Sequence, residues 1–167
     1  MDVDRAALMR LFLSDSEDEL NRLEAEVLSL ESHPDDVATI DALFRIAHTL
    51  KGNASILALD RFAKLAHTLE DLLDALRTRR TVMTKELGSL LLRAVDALRG
   101  MLAALRTGAP EDATEHKRIE QDLVAWVAAA NGETAPADVA EDRAASSAEE
   151  GSMPVMPDGQ WGPALRR

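Results

Sequence analysis

Apolar residues recur every three or four positions along most of this chain, and no stretch alternates apolar with polar as a half-buried strand would. Five segments carry this helical period. The first runs from about Asp4 to Glu31. Its stripe is Leu8, Leu11, Phe12, Leu20, Leu23, Val27 and Leu30, and Asp4 can cap it by accepting a free backbone N–H. Ser32-His33-Pro34-Asp35 breaks the pattern. The second runs from about Asp36 to Ala58, with Leu43, Ile46, Ala47, Leu50, Ala54 and Leu57 on one face. Asp60 is expected to cap the third, from about Arg61 to Arg79, which aligns Phe62, Leu65, Ala66, Leu69, Leu73 and Leu76. Thr84 can cap the fourth, which ends near Thr107 before Gly108-Ala109-Pro110. The fifth spans about Glu111 to Ala130, points Ile119, Leu123, Trp126 and Val127 inward, and stops at Gly132. Short connections between long amphipathic helices predict antiparallel neighbours. The expected fold is all-α: an up-and-down antiparallel four-helix bundle with an additional fifth helix on one flank.

Composition changes after the fifth segment. Residues 132–167 are rich in Ala, Pro, Ser, Gly and acids and show no apolar period, so they read as a disordered tail or interdomain linker following a helical domain at 1–131. Trp161 is the lone aromatic there, either an incidental residue or the anchor of a short docking motif. The chain carries a net charge of -11, which argues against a nucleic-acid partner. It has no Cys, which excludes disulfides and Cys-ligated zinc. Aromatics make up only 3% of the residues, so Leu and Ala must fill the core, as suits packed helices. Met1-Asp2-Val3-Asp4 leads into no signal-type apolar run, and nothing is long enough to span a membrane. A cytoplasmic location is expected.

The candidate chemistry lies in Ala47-His48-Thr49-Leu50-Lys51-Gly52, echoed by Ala66-His67-Thr68-Leu69-Glu70. At about 100° per residue, His48 falls roughly 140° from the direction of Leu43, on the solvent side, and Lys51 near 80°, at the flank. Measured from Phe62, His67 and Glu70 take the same two angles on the third segment. Lys51 and Glu70 thus occupy equivalent flanks of neighbouring helices; bundle handedness decides whether those flanks face. A neutral imidazole is nucleophilic at one ring nitrogen when the other carries the proton, and a carboxylate accepting that N–H fixes the tautomer. Glu70 can do this for His48. Lys51 can offset the charge of an arriving phosphate. Gly52 costs about 0.5–1 kcal/mol relative to Ala in mid-helix, a cost that implies compensation, and it leaves room for a bulky donor or acceptor.

Two blander readings stand beside this one. His48, His67 and Glu70 can be imagined as ligands of a metal-binding bundle, although the Glu-x-x-His order of di-metal bundles is reversed here and the residues point outward. A purely structural docking bundle is the other reading, and it makes His48 dispensable. His33 reads as a loop residue and His116 as a solvated helix residue. The His67–Glu70 spacing also suits a simple surface pair.

The motif Leu43-Phe44-Arg45-Ile46-Ala47-His48-Thr49-Leu50-Lys51-Gly52 resembles the histidine phosphotransfer (HPt) family, and most of all the N-terminal phosphoacceptor domains of CheA-type chemotaxis kinases. Leu59 to Leu76 and Phe12-Leu13 with the acidic stretch after it extend the resemblance to about residues 4–130; Asn53-Ala54-Ser55 departs from the family's usual small residues. The resemblance implies that His48 is phosphorylated, that Glu70 hydrogen-bonds its ring, and that Lys51 and His67 complete the surrounding network. Gly52 matches the small residue after the lysine. It implies no cofactor or metal in this domain, a kinase ATP-binding domain as phosphodonor in cis or trans, and an aspartate of a response-regulator receiver domain as acceptor. No Gly-rich ATP lid, Asp-x-Gly-x-Gly pattern or P-loop occurs, so the chain is expected to be a substrate of the kinase reaction and a fragment of a larger kinase.

Overall fold

The computed structural model describes residues 4–109 and 113–133; the expected tail, Trp161 included, lies outside the described residues apart from Gly132 and Glu133. Five helices follow in order: α1 (Arg5–Ser32), α2 (Val37–Ile56), α3 (Asp60–Arg77), α4 (Lys85–Thr107) and α5 (Ala113–Ala130). Helices α1 to α4 form the up-and-down antiparallel bundle. In this ring α1 packs on α2 and α4, and α3 packs on α2 and α4. The fifth helix lies along the outer groove between α3 and α4.

The helix ends follow local chemistry. Asp4 accepts from the Ala6 N–H at 2.9 Å, Asp36 from Ala38 at 3.1 Å and Thr84 from Leu87 at 3.2 Å. Asp60 does not cap α3. It is the first helical residue, and its charge favours the positive end of the helix dipole instead. Gly108 closes α4 in the left-handed region at φ 68°.

Two ends come earlier than the sequence pattern suggests. Ala58 (φ 55°) and Arg79 (φ 59°) are left-handed, so α2 stops at Ile56 and α3 at Arg77. Each turn closes with a six-to-one bond, Leu59 N–H to Ala54 O at 3.0 Å and Arg80 N–H to Ala75 O at 2.9 Å. This is the glycine-type Schellman ending built without glycine.

The core is one apolar cluster, mostly aliphatic, drawn from every helix. The stripes of α2 and α3 are buried as expected, and Leu72 and Ala75 join them. On α1 the expectation needs correcting, because Leu8 and Leu11 are 36% and 57% exposed. Measured from Leu8, the buried positions Phe12, Ser16, Leu20, Leu23, Val27 and Leu30 fall between about 40° and 120°, whereas Leu11 falls near -60°. Phe12 is the residue that enters the core there, edge-on to Phe62 at 5.4 Å between centroids.

On α5, Ile119 and Leu123 are buried, with Trp126 and Val127 half-buried against the core. His116 is buried too, contrary to its reading as solvated. It sits on the same face as Ile119 and Leu123, and Gly100 of α4 leaves it room: a Cβ there would lie 3.5 Å from its Nε2. Trp126 donates from its indole to Thr81 Oγ1 at 3.2 Å, tying α5 to the α3–α4 loop. Lys64–Glu120 (2.7 Å) and Arg93–Asp122 (3.2 Å) bridge α5 to α3 and α4. No described helix is long and apolar enough to cross a membrane.

Candidate functional site

Burial of Leu43, Ile46, Ala47 and Leu50 fixes the rotation of α2, and that rotation turns His48 outward. Its side chain is 64% exposed. On α3, burial of Leu65, Ala66, Leu69, Leu72 and Leu73 brings Glu70 to the seam with α2, where only 10% of its side chain remains exposed. The bundle hand therefore makes the two flanks face each other.

Glu70 uses both oxygens across that seam. Oε1 lies 2.8 Å from His48 Nδ1, and Oε2 lies 2.5 Å from Lys51 Nζ. Burial pushes the Glu70 carboxyl pKa up, but hydrogen bonds from Lys51 and His48, with the charge of both, outweigh it and hold the value below the ordinary one. Glu70 is therefore a carboxylate near neutral pH. A carboxylate can only accept, so in the neutral imidazole Nδ1 carries the ring proton and Nε2 keeps a lone pair. Chemically, this is an exposed imidazole with its tautomer fixed and an ammonium nearby, which suits nucleophilic attack on an electrophile bearing negative charge.

The remaining candidates divide. Around the Cβ position of Gly52 nothing lies within 4 Å among the described residues, so packing among them does not require the glycine. His67 does not join the cluster. Its Nε2 lies 3.7 Å from Asp71 Oδ1, one turn along its own helix, and the hydrogen bonds and ion pairs among the described residues link it to neither His48 nor Glu70. His48, His67 and Glu70 thus do not converge as three metal ligands would, and no such group is found among the described residues.

The helical wheel of α2 puts Phe44 beside His48, but the stack it forms there, with Arg77 on it, went unread in the sequence. The Phe44 ring lies 19° from parallel to the His48 imidazole with centroids 6.2 Å apart, and the Arg77 guanidinium carbon sits 4.1 Å from the Phe44 centroid. Spacing contained the hint. Phe44 is one turn before His48, and Arg77 is two turns after Glu70 on the same face of α3.

Comparison with known proteins agrees with this geometry. A sequence model of the Hpt domain matches residues 7–108. The chemotaxis protein CheA of Treponema pallidum is 32% identical over 110 residues, covering 66% of this chain and 14% of that protein. CheA of Rhizobium meliloti is 30% identical over 155 residues, covering 93% of this chain and 20% of that protein. The chain thus spans about a fifth or less of the length of these relatives. Among solved structures, the phosphorylated P1 domain of CheA3 in complex with CheY6 from R. sphaeroides superposes with a TM-score of 0.67 at 31% identity, covering 74% of this chain and 98% of that one. The histidine phosphotransfer domain of CheA in solution gives 0.66 at 28%, covering 74% and 93%. With a family model matching more than half of its length around an exposed, carboxylate-held histidine, the chain belongs to the Hpt domain family.

Proposed function

We propose that this chain is the phosphoacceptor domain of a chemotaxis-type two-component system, with His48 as the phosphorylated residue. A kinase ATP-binding domain, in cis or in trans, presents ATP. The Nε2 lone pair attacks the γ-phosphorus, the bond from phosphorus to the bridging oxygen breaks, and that oxygen leaves with its electron pair on ADP. The ring proton stays on Nδ1, where Glu70 stabilises the positive charge that forms on the imidazole. Lys51 offsets the phosphoryl charge from the neighbouring turn. The second transfer moves the group from Nε2 to an aspartate of a receiver domain.

The observation that carries this reading is the two-sided grip of Glu70 on His48 and Lys51. The likeness to a phosphorylated P1 domain bound to CheY6 supports the receiver as partner. Residues 1–131 would be the phosphotransfer domain and 132–167 a linker. Action in the cytoplasm follows from the need for ATP. His67, paired with Asp71, has no step in this scheme.

The test is incubation with the cognate kinase core and ATP, followed by mass-spectrometric mapping of an acid-labile, base-stable phosphate. The label is expected on His48 and absent in His48→Gln. A label that survives His48→Gln overturns the assignment.

A further inference from the structure

We propose that Phe44, clamped by Arg77, is a positioning residue for the imidazole of His48; this rests on His48 being the phosphoacceptor. The Cβ–Cγ bond and the hydrogen bond from Nδ1 to Glu70 hold the ring along one edge and still let it rock about χ2 as far as that hydrogen bond tolerates. The direction of the Nε2 lone pair then needs a second constraint, since transfer requires aligned reacting atoms. Phe44 supplies a flat surface for it: the two rings lie 19° from parallel at 6.2 Å, within the range of offset stacks.

The position of this surface follows from helix geometry. Side chains on a helix lean toward its N-terminus. His48 therefore leans onto Phe44, one turn earlier, and away from Gly52, one turn later. On the Gly52 side no side chain comes within 4 Å of the missing Cβ. The imidazole is thus backed on the Phe44 side and has room on the Gly52 side, while the phosphorus meets Nε2 at the ring edge, along its in-plane lone pair.

Phe44 is itself held. It is half-buried against the core cluster, and Arg77 from the last turn of α3 lies over its ring at 4.1 Å. Arg77 is anchored by Asp74 Oδ1 at 2.7 Å, and the other oxygen of Asp74 takes Arg80 at 2.7 Å. Asp74, Arg77, Phe44 and His48 form a continuous chain of contacts from α3 to the reacting ring. Arg77 acts on His48 through Phe44, the ring that both contact.

The experiment compares Phe44→Leu, Phe44→Tyr and Arg77→Met in the full chain. Phosphorylation uses the kinase core and ATP of the His48 test, with kcat and KM for the chain as substrate measured separately. Phe44→Leu is expected to lower kcat about tenfold, the cost of a mis-aimed nucleophile, while KM stays within about twofold. Phe44→Tyr restores kcat, because the flat ring returns. Arg77→Met, an exposed change that leaves Phe44 in place, gives an intermediate kcat. Proton NMR of the isolated chain supplies a kinase-free readout: the His48 ring signals lose their aromatic ring-current shift in Phe44→Leu and keep it in Phe44→Tyr.

A wild-type kcat in Phe44→Leu overturns the proposal. So does a rise in KM alone, which would make Phe44 a docking contact, or a Tyr variant as slow as the Leu one. An unchanged ring-current shift also overturns it. If the wild-type chain takes no label on His48, the functional reading falls first and this proposal with it.

Discussion

Glu70 holds His48 with one carboxylate oxygen and Lys51 with the other, so a single side chain of α3 orients both groups presented by α2. Replacing Glu70 by Ala frees the imidazole tautomer and strands a half-buried ammonium. Phosphorylation of His48 is expected to fall by about tenfold or more, with helical content kept. Circular dichroism and nitrogen-15 NMR of the imidazole check the two halves separately. A wild-type rate together with a scrambled tautomer would remove the carboxylate from the mechanism.

The same pairing sets an acid limit on stability. Burial raises the Glu70 carboxyl pKa, yet the Lys51 and His48 contacts leave it lower in the folded state than its ordinary 4.5. The unfolded chain then binds this proton more tightly than the folded one. The contribution of Glu70 is full above the ordinary value and is lost as pH falls through the folded value. Urea unfolding of wild type and Glu70→Gln is expected to show a stability gap that narrows as pH falls below roughly 5. A gap that widens on acidification would reverse the sign of the shift.

Gly52→Ala separates stability from transfer. The new methyl meets nothing within 4 Å, so the helix gains without a clash. An increase of about 0.5–1 kcal/mol is expected from urea unfolding. Transfer of the phosphoryl group is expected to slow, because the open side of His48 narrows for the incoming partner. A more stable variant with unchanged transfer would place the approach elsewhere.

Ala58→Gly tests the α2–α3 turn. Ala58 is exposed and left-handed at φ 55°, a conformation that costs an L-residue roughly 1–2 kcal/mol. Glycine relieves it but loses more entropy on folding, so a net gain of about 1 kcal/mol or somewhat less is expected. Thermal unfolding checks this, and phosphorylation should be unchanged. A lower melting temperature would mean that the methyl group makes a contact worth more than the strain.

Much of this fold is legible from periodicity, because Leu and Ala stripes face a core whatever the details of packing. The caps Asp4 and Thr84 and the stop at Gly108 are local chemistry and read directly. What periodicity misses depends on neighbours. Leu8 and Leu11 look like core until the position of the α1 stripe is known. His116 lies on an inward face, but its polarity suggests solvent until Gly100 is seen opposite. Ala58 and Arg79 end their helices without the glycine that usually marks such a turn. At the site, the outward aim of His48 and the flank positions of Lys51 and Glu70 follow from one helical wheel each. Their meeting follows from bundle hand, which no wheel contains. Arg77 stayed hidden because its link to His48 runs through Phe44, from another helix.

The His48 imidazole, its carboxylate, its ammonium and the aromatic stack all stand on α2 and α3, a single hairpin closed at residues 57–59. Helices α1, α4 and α5 pack against this hairpin and carry none of these groups. Lesions in those three helices should therefore lower the amount of intact protein in a cell while each surviving molecule reacts at its normal rate. Lesions on the hairpin can silence the molecule at full abundance.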